Sequence, residues 1–256
     1  MRRFPLRLTR DLTRVLLAQQ LFGADRRPLA SRVELEPAPA EASDPAASAN
    51  ELPDAASLCS ENNAPIVWLG ATSASHPRIG QIASEFVARN KTVFLEIDGA
   101  TLRRRIHEFR PVANLFLVLP LHGGQTSHDV RAGENGNFRA TLESIRTARL
   151  SGFHLCVQTF IFPDTVTEEL RALGELIETQ RVDGWLVRRA DGATVAEVPT
   201  EQVAAARNFI PNARWRTFSV QLERSLAQHS PLRSEAAVPA CTSRDIAQRE
   251  EGLGTL

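Results

Sequence analysis

Glu96, Asp98, His122, His128 and Asp129 are the side chains whose types and spacing point most directly to chemistry, and each stands near the end of a short apolar run or after one. Imidazole and carboxylate together move protons or hold a hard or borderline metal ion. Glu96, Asp98 and His122 are the set a metal-dependent hydrolase or lyase would use. Gly70-Ala71-Thr72-Ser73 follows another apolar run and offers hydroxyls and backbone N–H groups to a ligand. Gly123-Gly124 offers backbone N–H groups to a phosphate, but no P-loop pattern follows it. The plain alternative for His122 is a solvated rim histidine. For His128-Asp129 it is a local hydrogen-bond anchor or helix-start cap.

Cysteine chemistry is narrowly bounded. Cys59, Cys156 and Cys241 stand 97 and 85 residues apart, so the chain has no Cys-x-x-Cys. Spacing of that kind builds neither a short-loop zinc site nor a cluster motif. The sparse, odd count fits a reducing compartment. Cys156, flanked by apolar neighbours, reads as a small buried hydrophobe.

Those residues need a scaffold to position them. Apolar runs at 66–69, 92–97, 115–119, 155–160 and 185–187 alternate with amphipathic stretches at 79–90, 101–109, 137–151 and 166–180. Alternation of this kind implies a parallel sheet with helices outside it, and the 33–36 run supplies a sixth strand. Six such units either curl into an open barrel or lie as a doubly wound sheet; periodicity does not decide between them. In both, ligands bind at the carboxyl ends of the strands, where the polar residues above fall. Asn137 reads as a helix N-cap with Gly152 as the stop, and Asp164 or Thr165 as the next cap. His76-Pro77 reads as a turn.

The ends of the chain differ from its centre. Residues 1–32 carry net charge +6 and residues 33–61 carry −7 with no base, while the whole chain sums to zero. Zero overall charge argues against a nucleic-acid partner. Residues 6–21 place Leu8, Leu12, Val15 and Leu16 at helical spacing, with Arg7, Arg10 and Arg14 elsewhere around the turn. The helix either packs on the barrel or lies on an anionic membrane surface. No apolar run reaches the ~20 residues of a membrane span, and charges interrupt any signal-peptide core. A cytoplasmic, membrane-peripheral at most, location is the expectation. The expected organisation is a basic helix over 1–32, a barrel core over 33–190 with a flexible acidic loop at 37–50, helices over 191–230, and a disordered tail over 231–256.

The order GATSASHP, FLEIDG, then LPLHGGQTSHDVRAGENGNFRATLESIRTARLSGFHLCVQT resembles the core of the radical SAM family. That family runs through Gly-Gly-Glu-Pro, Thr-Asn-Gly and Leu-Asp-Gly motifs, then His-Asp. Leu35-Glu36-Pro37, Ala64-Pro65 and Ala88-Arg89-Asn90-Lys91 are most similar to the adenosylhopane synthase type, which acts in hopanoid biosynthesis. The resemblance covers about residues 33–190 and is most specific over 120–160. It implies a partial (β/α)6 TIM-like barrel of radical SAM type, with an N-terminal amphipathic helix and C-terminal helices.

The departures set the functional expectation. The family holds a four-iron cluster by Cys-x-x-x-Cys-x-x-Cys, and here that loop is residues 37–50, without cysteine or histidine. Thiolates are the ligands such a cluster requires. Thr72 stands where the resemblance places the ammonium-binding glutamate, Asp98 replaces Asn, and His122 replaces Asp. The expectation is a pseudoenzyme without iron–sulfur cluster, with S-adenosylmethionine binding disfavoured too. It would act as scaffold, accessory or ligand-binding protein, beside an intact radical SAM relative or another protein partner. A metal-dependent hydrolase or lyase, and a membrane-peripheral factor of lipid biosynthesis, are the alternatives. The ligand-binding candidates are Gly70, Ala71, Thr72, Ser73, Glu96, Asp98, His122, His128 and Asp129.

Overall fold

The computed structural model describes residues 4–23, 28–35, 64–190, 198–228 and 232–233. The expected acidic loop at 37–50, Cys59 and Cys241 lie outside them. Helix α1 (Leu6–Phe22) precedes β1 (Ala30–Glu34) and β2 (Ile66–Leu69). A 3₁₀ turn at Ala71–Ser75 leads to α2 (Ile79–Ala88), β3 (Thr92–Glu96) and α3 (Gly99–Arg105). Then come β4 (Leu115–Pro120), α4 (Gln125–Ala132), α5 (Asn137–Leu150) and β5 (His154–Ile161). The chain ends with α6 (Thr167–Gln180), β6 (Gly184–Arg189), α7 (Thr200–Arg207), α8 (Ala213–Gln228) and β7 (Leu232–Arg233).

Sheet order decides between the two expected architectures. The strands run β6-β5-β4-β3-β2-β1-β7, all parallel. From β1 to β6 the order never reverses, so there is no switch point, and right-handed crossovers put the linking helices on one face. The sheet curls about its other face into a half-barrel. Inside, Phe94 stacks on Trp68 at 5.8 Å and on Phe116 at 4.7 Å.

A half-barrel leaves its two edge strands with open backbone groups, and such edges need cover. Helix α8 supplies much of it. Ser219 Oγ accepts from Val187 N–H and Glu223 Oε1 accepts from Arg189 N–H along β6. Ser225 Oγ accepts from the Leu29 N–H just before β1. Its apolar side fills the interior, with Phe218 5.5 Å from Phe94. On the other side β7 pairs with Val33 and Glu34. This corrects the expectation of a wholly disordered tail at 232–233; pairing with the bare β1 edge gives those residues a place.

Several boundaries also shift. The first strand is 30–34 rather than 33–36, because β1 pairs from Ala30 opposite Ile66. The stretch 125–132, to which the alternation of runs assigns no element, is α4. The α5 N-cap position is Gly136 at φ +84, which leaves Asn137 in the first turn. Val166 holds the cap position of α6, since the Thr165 hydroxyl instead accepts from Phe162 N–H. Among the described residues no helix is long and apolar enough to cross a membrane.

Candidate functional site

The carboxyl ends of β1, β2, β3, β5 and β6 surround a cavity of about 190 Å³ lined by Arg32, Ala71, Glu96, Phe160, Phe162 and Arg188. Strand alternation explains the set. Trp68, Phe94 and Glu96 share the inner face, as do Gln158, Phe160 and Arg188. The register places Phe160 opposite Arg188 and Gln158 opposite Leu186.

Charge at this mouth is mixed and partly withdrawn from water. The Arg188 guanidinium lies 5.6 Å from the Trp68 ring and 5.5 Å from the Phe160 ring, so aromatic faces hold it in place. Trp68 Nε1 donates to Glu96 Oε2 at 3.3 Å. Burial pushes the Glu96 carboxyl above its ordinary value, against the pull of Arg188 and Arg32. Arg32 Nε donates to Glu34 Oε1 at 2.7 Å, and Thr72 Oγ1 donates to Glu34 Oε2. A Cβ at Gly70 would lie 2.0 Å from the Glu34 carboxylate, so any side chain there would push Glu34 out of this position. The arrangement can hold a small polar ligand, with Glu96 able to carry or release one proton.

Beneath the mouth lies Gln158, wholly buried, with neither amide atom hydrogen-bonded. An unpaired buried amide costs about 1–3 kcal/mol. Gln158→Met keeps the volume and removes the polar group. Denaturant unfolding of that variant is expected to show a gain of about 1–3 kcal/mol; a loss would mean that the amide has a partner in solution.

The structure separates the sequence candidates. Ala71 and Glu96 line the cavity, Thr72 donates to Glu34, and Gly70 leaves room for the Glu34 carboxylate. Ser73 is buried, donating to Val33 O and accepting from Leu35 N–H, so it pins the end of β1. Asp98 caps α3 by accepting from Thr101 N–H at 2.8 Å. His122 packs against Phe160 and Phe162, and its Nδ1 accepts from Phe160 N–H at 3.4 Å. Its pKa falls to about 3, through burial first and then the charges of His128 and Arg131.

The His122, Glu96 and Asp98 metal set is therefore not assembled. Asp98 is committed to a helix start and His122 to a backbone N–H. Among the described residues no three His, Cys, Asp or Glu side chains converge on a metal position. His128 Nε2 bonds Asn137 Oδ1 at 2.9 Å, while the Asp129 carboxylate accepts from Gly136 and Phe138 N–H. These two residues fix the start of α5. Gly124 N–H points to the Glu169 carboxylate, which takes the place a phosphate would need. Cys156 is fully buried in β5, and burial pushes its thiol well up.

Arg32, Trp68, Gln158, Phe160, Phe162 and Arg188 escaped the sequence reading. A signal was present: Gln158 and Arg188 are polar residues inside or directly continuing apolar runs, where β-alternation gives them an inward direction.

No protein-family model and no curated protein sequence matches the chain. Solved structures do. The crystal structure of SuiB from Streptococcus suis superposes with TM-score 0.50 at 8% identity, over 73% of this chain and 46% of that one. SuiB bound to S-adenosylmethionine gives TM-score 0.52 at 9% identity, over 82% and 50%. The chain spans about half the length of the structures it matches, and at such identity the likeness establishes a shared half-barrel fold.

Proposed function

We propose that this chain is a radical-SAM-like half-barrel that works without an iron–sulfur cluster, as a binding protein for a small polar ligand at the barrel mouth. Two supports come from the chain itself. The motif resemblance over 120–160 and the half-barrel fold shared with SuiB bound to S-adenosylmethionine both support the radical-SAM-like reading. The residues present do not fit a four-iron cluster: of three cysteines in all, Cys156 is sealed inside β5 with a protonated thiol.

The observation that carries ligand binding is Gln158, an unsatisfied amide kept under a mouth of buried charge. A barrel retained only as a scaffold has no use for that cost. Arg32 and Arg188 favour an acidic group on the ligand, and Glu34 and Glu96 favour a donor or cation. A small zwitterion meets both. Glu96 then holds the proton balance of the site.

Anaerobic purification with iron and sulfide analysis tests the first half. The expected result is no cluster, and stoichiometric four-iron content would overturn the reading. Calorimetric titration with S-adenosylmethionine is expected to give no binding. A panel of amino acids and other small zwitterions, followed by thermal shift, is expected to yield binders that Arg188→Met and Glu96→Gln abolish. Stabilisation that survives both substitutions would remove the mouth as the site.

A further inference from the structure

The opposite end of the barrel carries a second, chemically different surface. Pro28, Pro65 and Lys91 stand just before β1, β2 and β3, at the amino ends of the strands. Between them and α1 lies a cavity of about 290 Å³. Its charged lining is Arg7, Arg10, Arg14, Arg89 and Lys91 against one carboxylate, Asp11. Asp11 is itself buried and paired with Arg10 at 3.5 Å. Arg7 is anchored by donating to Asn90, Lys91 donates to Ala64 O, and Glu85 sits 3.9 Å from Arg89. The chain as a whole is neutral, so this positive field is local.

Helix α1 explains what the field faces. Its inner side, Leu8, Leu12 and Val15, is buried on the barrel. Its outer side is not polar throughout. Leu6 is 85% exposed, Leu17 52% and Leu21 73%. Arg10, Arg14, Leu17 and Leu21 follow one another at i, i+4, i+7 and i+11, which makes a single stripe on a helix. One half of the stripe is cationic and the other half is apolar.

We propose that this face docks on an anionic phospholipid surface. A lipid phosphate seats among Arg10, Arg14 and Lys91, and Leu17 and Leu21 enter the boundary between headgroups and acyl chains. Free phosphate uses only the cations and leaves the exposed apolar residues without a role. A second copy of the chain would bring five cations against five, so self-association through this face is repelled. An anionic bilayer meets both halves of the stripe at once.

The test uses the full chain in flotation with phosphatidylcholine vesicles, with and without phosphatidylglycerol. Co-flotation is expected only with phosphatidylglycerol and weakens as salt is raised. Arg10→Gln with Arg14→Gln is expected to lower partitioning about thirtyfold. Leu17→Ser with Leu21→Ser is expected to abolish it at any salt. All four positions are exposed, so circular dichroism should be unchanged. Equal binding to neutral vesicles, or none to either, overturns the proposal. So does a thermal shift by inorganic phosphate without vesicle binding, or a dimer that the serine variants dissolve.

Discussion

Acidifying the protein from pH 6.5 to 4.5 is expected to remove about 2–3 kcal/mol of folding stability through His122 alone. The folded imidazole resists protonation until about 3, while in the unfolded chain it takes a proton at its ordinary 6.5. Between those values the unfolded state binds the extra proton, so stability rises with pH and falls on acidification by about 1.4 kcal/mol per unit. The causes are burial against Phe160 and Phe162 and the nearby charges of His128 and Arg131. His128 is lowered as well, chiefly by burial, and steepens the same slope. Glu96, raised in the fold, acts in the opposite sense and offsets part of it. Denaturant unfolding across this range checks the slope. His122→Asn keeps an acceptor near Phe160 N–H and cannot titrate, so its slope should be shallower by one proton. An unchanged slope would mean that His122 is protonated in the native state.

That histidine also shows what the sequence could and could not disclose. Its position after β4 was legible, because a polar residue following the apolar run 115–119 must fall at the barrel mouth. Its neighbours were not. Phe160 on β5 and Phe162 just after it lie nearly forty residues away, and the pairing of β4 with β5, Pro120 opposite Gln158, brings them together. The reading as a solvated rim residue fails for that reason. Six strands and most helices could be read because their apolar periods are regular. Helix α4 could not, since Gln125–Ala132 carries few apolar residues and is held by contacts such as His128 with Asn137. The mouth residues Arg32 and Arg188 were hidden by the opposite habit: strand reading looks for apolar runs and discards the charges at their ends. Asp98 was over-read, because from sequence a helix cap and a catalytic carboxylate at a strand end look alike.

The second large effect lies at the floor of the barrel, where Trp215→Ala is expected to cost about 3–5 kcal/mol. Trp215 is wholly buried, with Phe4 edge-on at 4.8 Å and Phe218 at 5.5 Å. It reaches this place only because residue 184 is glycine: a Cβ there would lie 2.6 Å from the indole ring. Gly184→Ala should therefore cost about 1–3 kcal/mol, as a rigid ring must move. The two changes should not add. With the indole gone, the alanine methyl enters the vacated space, and the double variant should be more stable than the sum by about 0.5–3 kcal/mol. Trp215→Phe should be much milder than Trp215→Ala, since the indole N–H has no partner to lose. The effect also reaches the mouth. Helix α8 carries Trp215 and also Ser219 and Glu223, which hold Val187 and Arg189 on either side of Arg188. If α8 loosens, Arg188 loses its backbone support. Trp215→Ala should then weaken binding of any ligand found at the mouth, whereas Gly174→Ala on α6, close to Trp185 but away from α8, should leave binding intact. Equal loss in both variants would show that the mouth depends on overall stability rather than on α8.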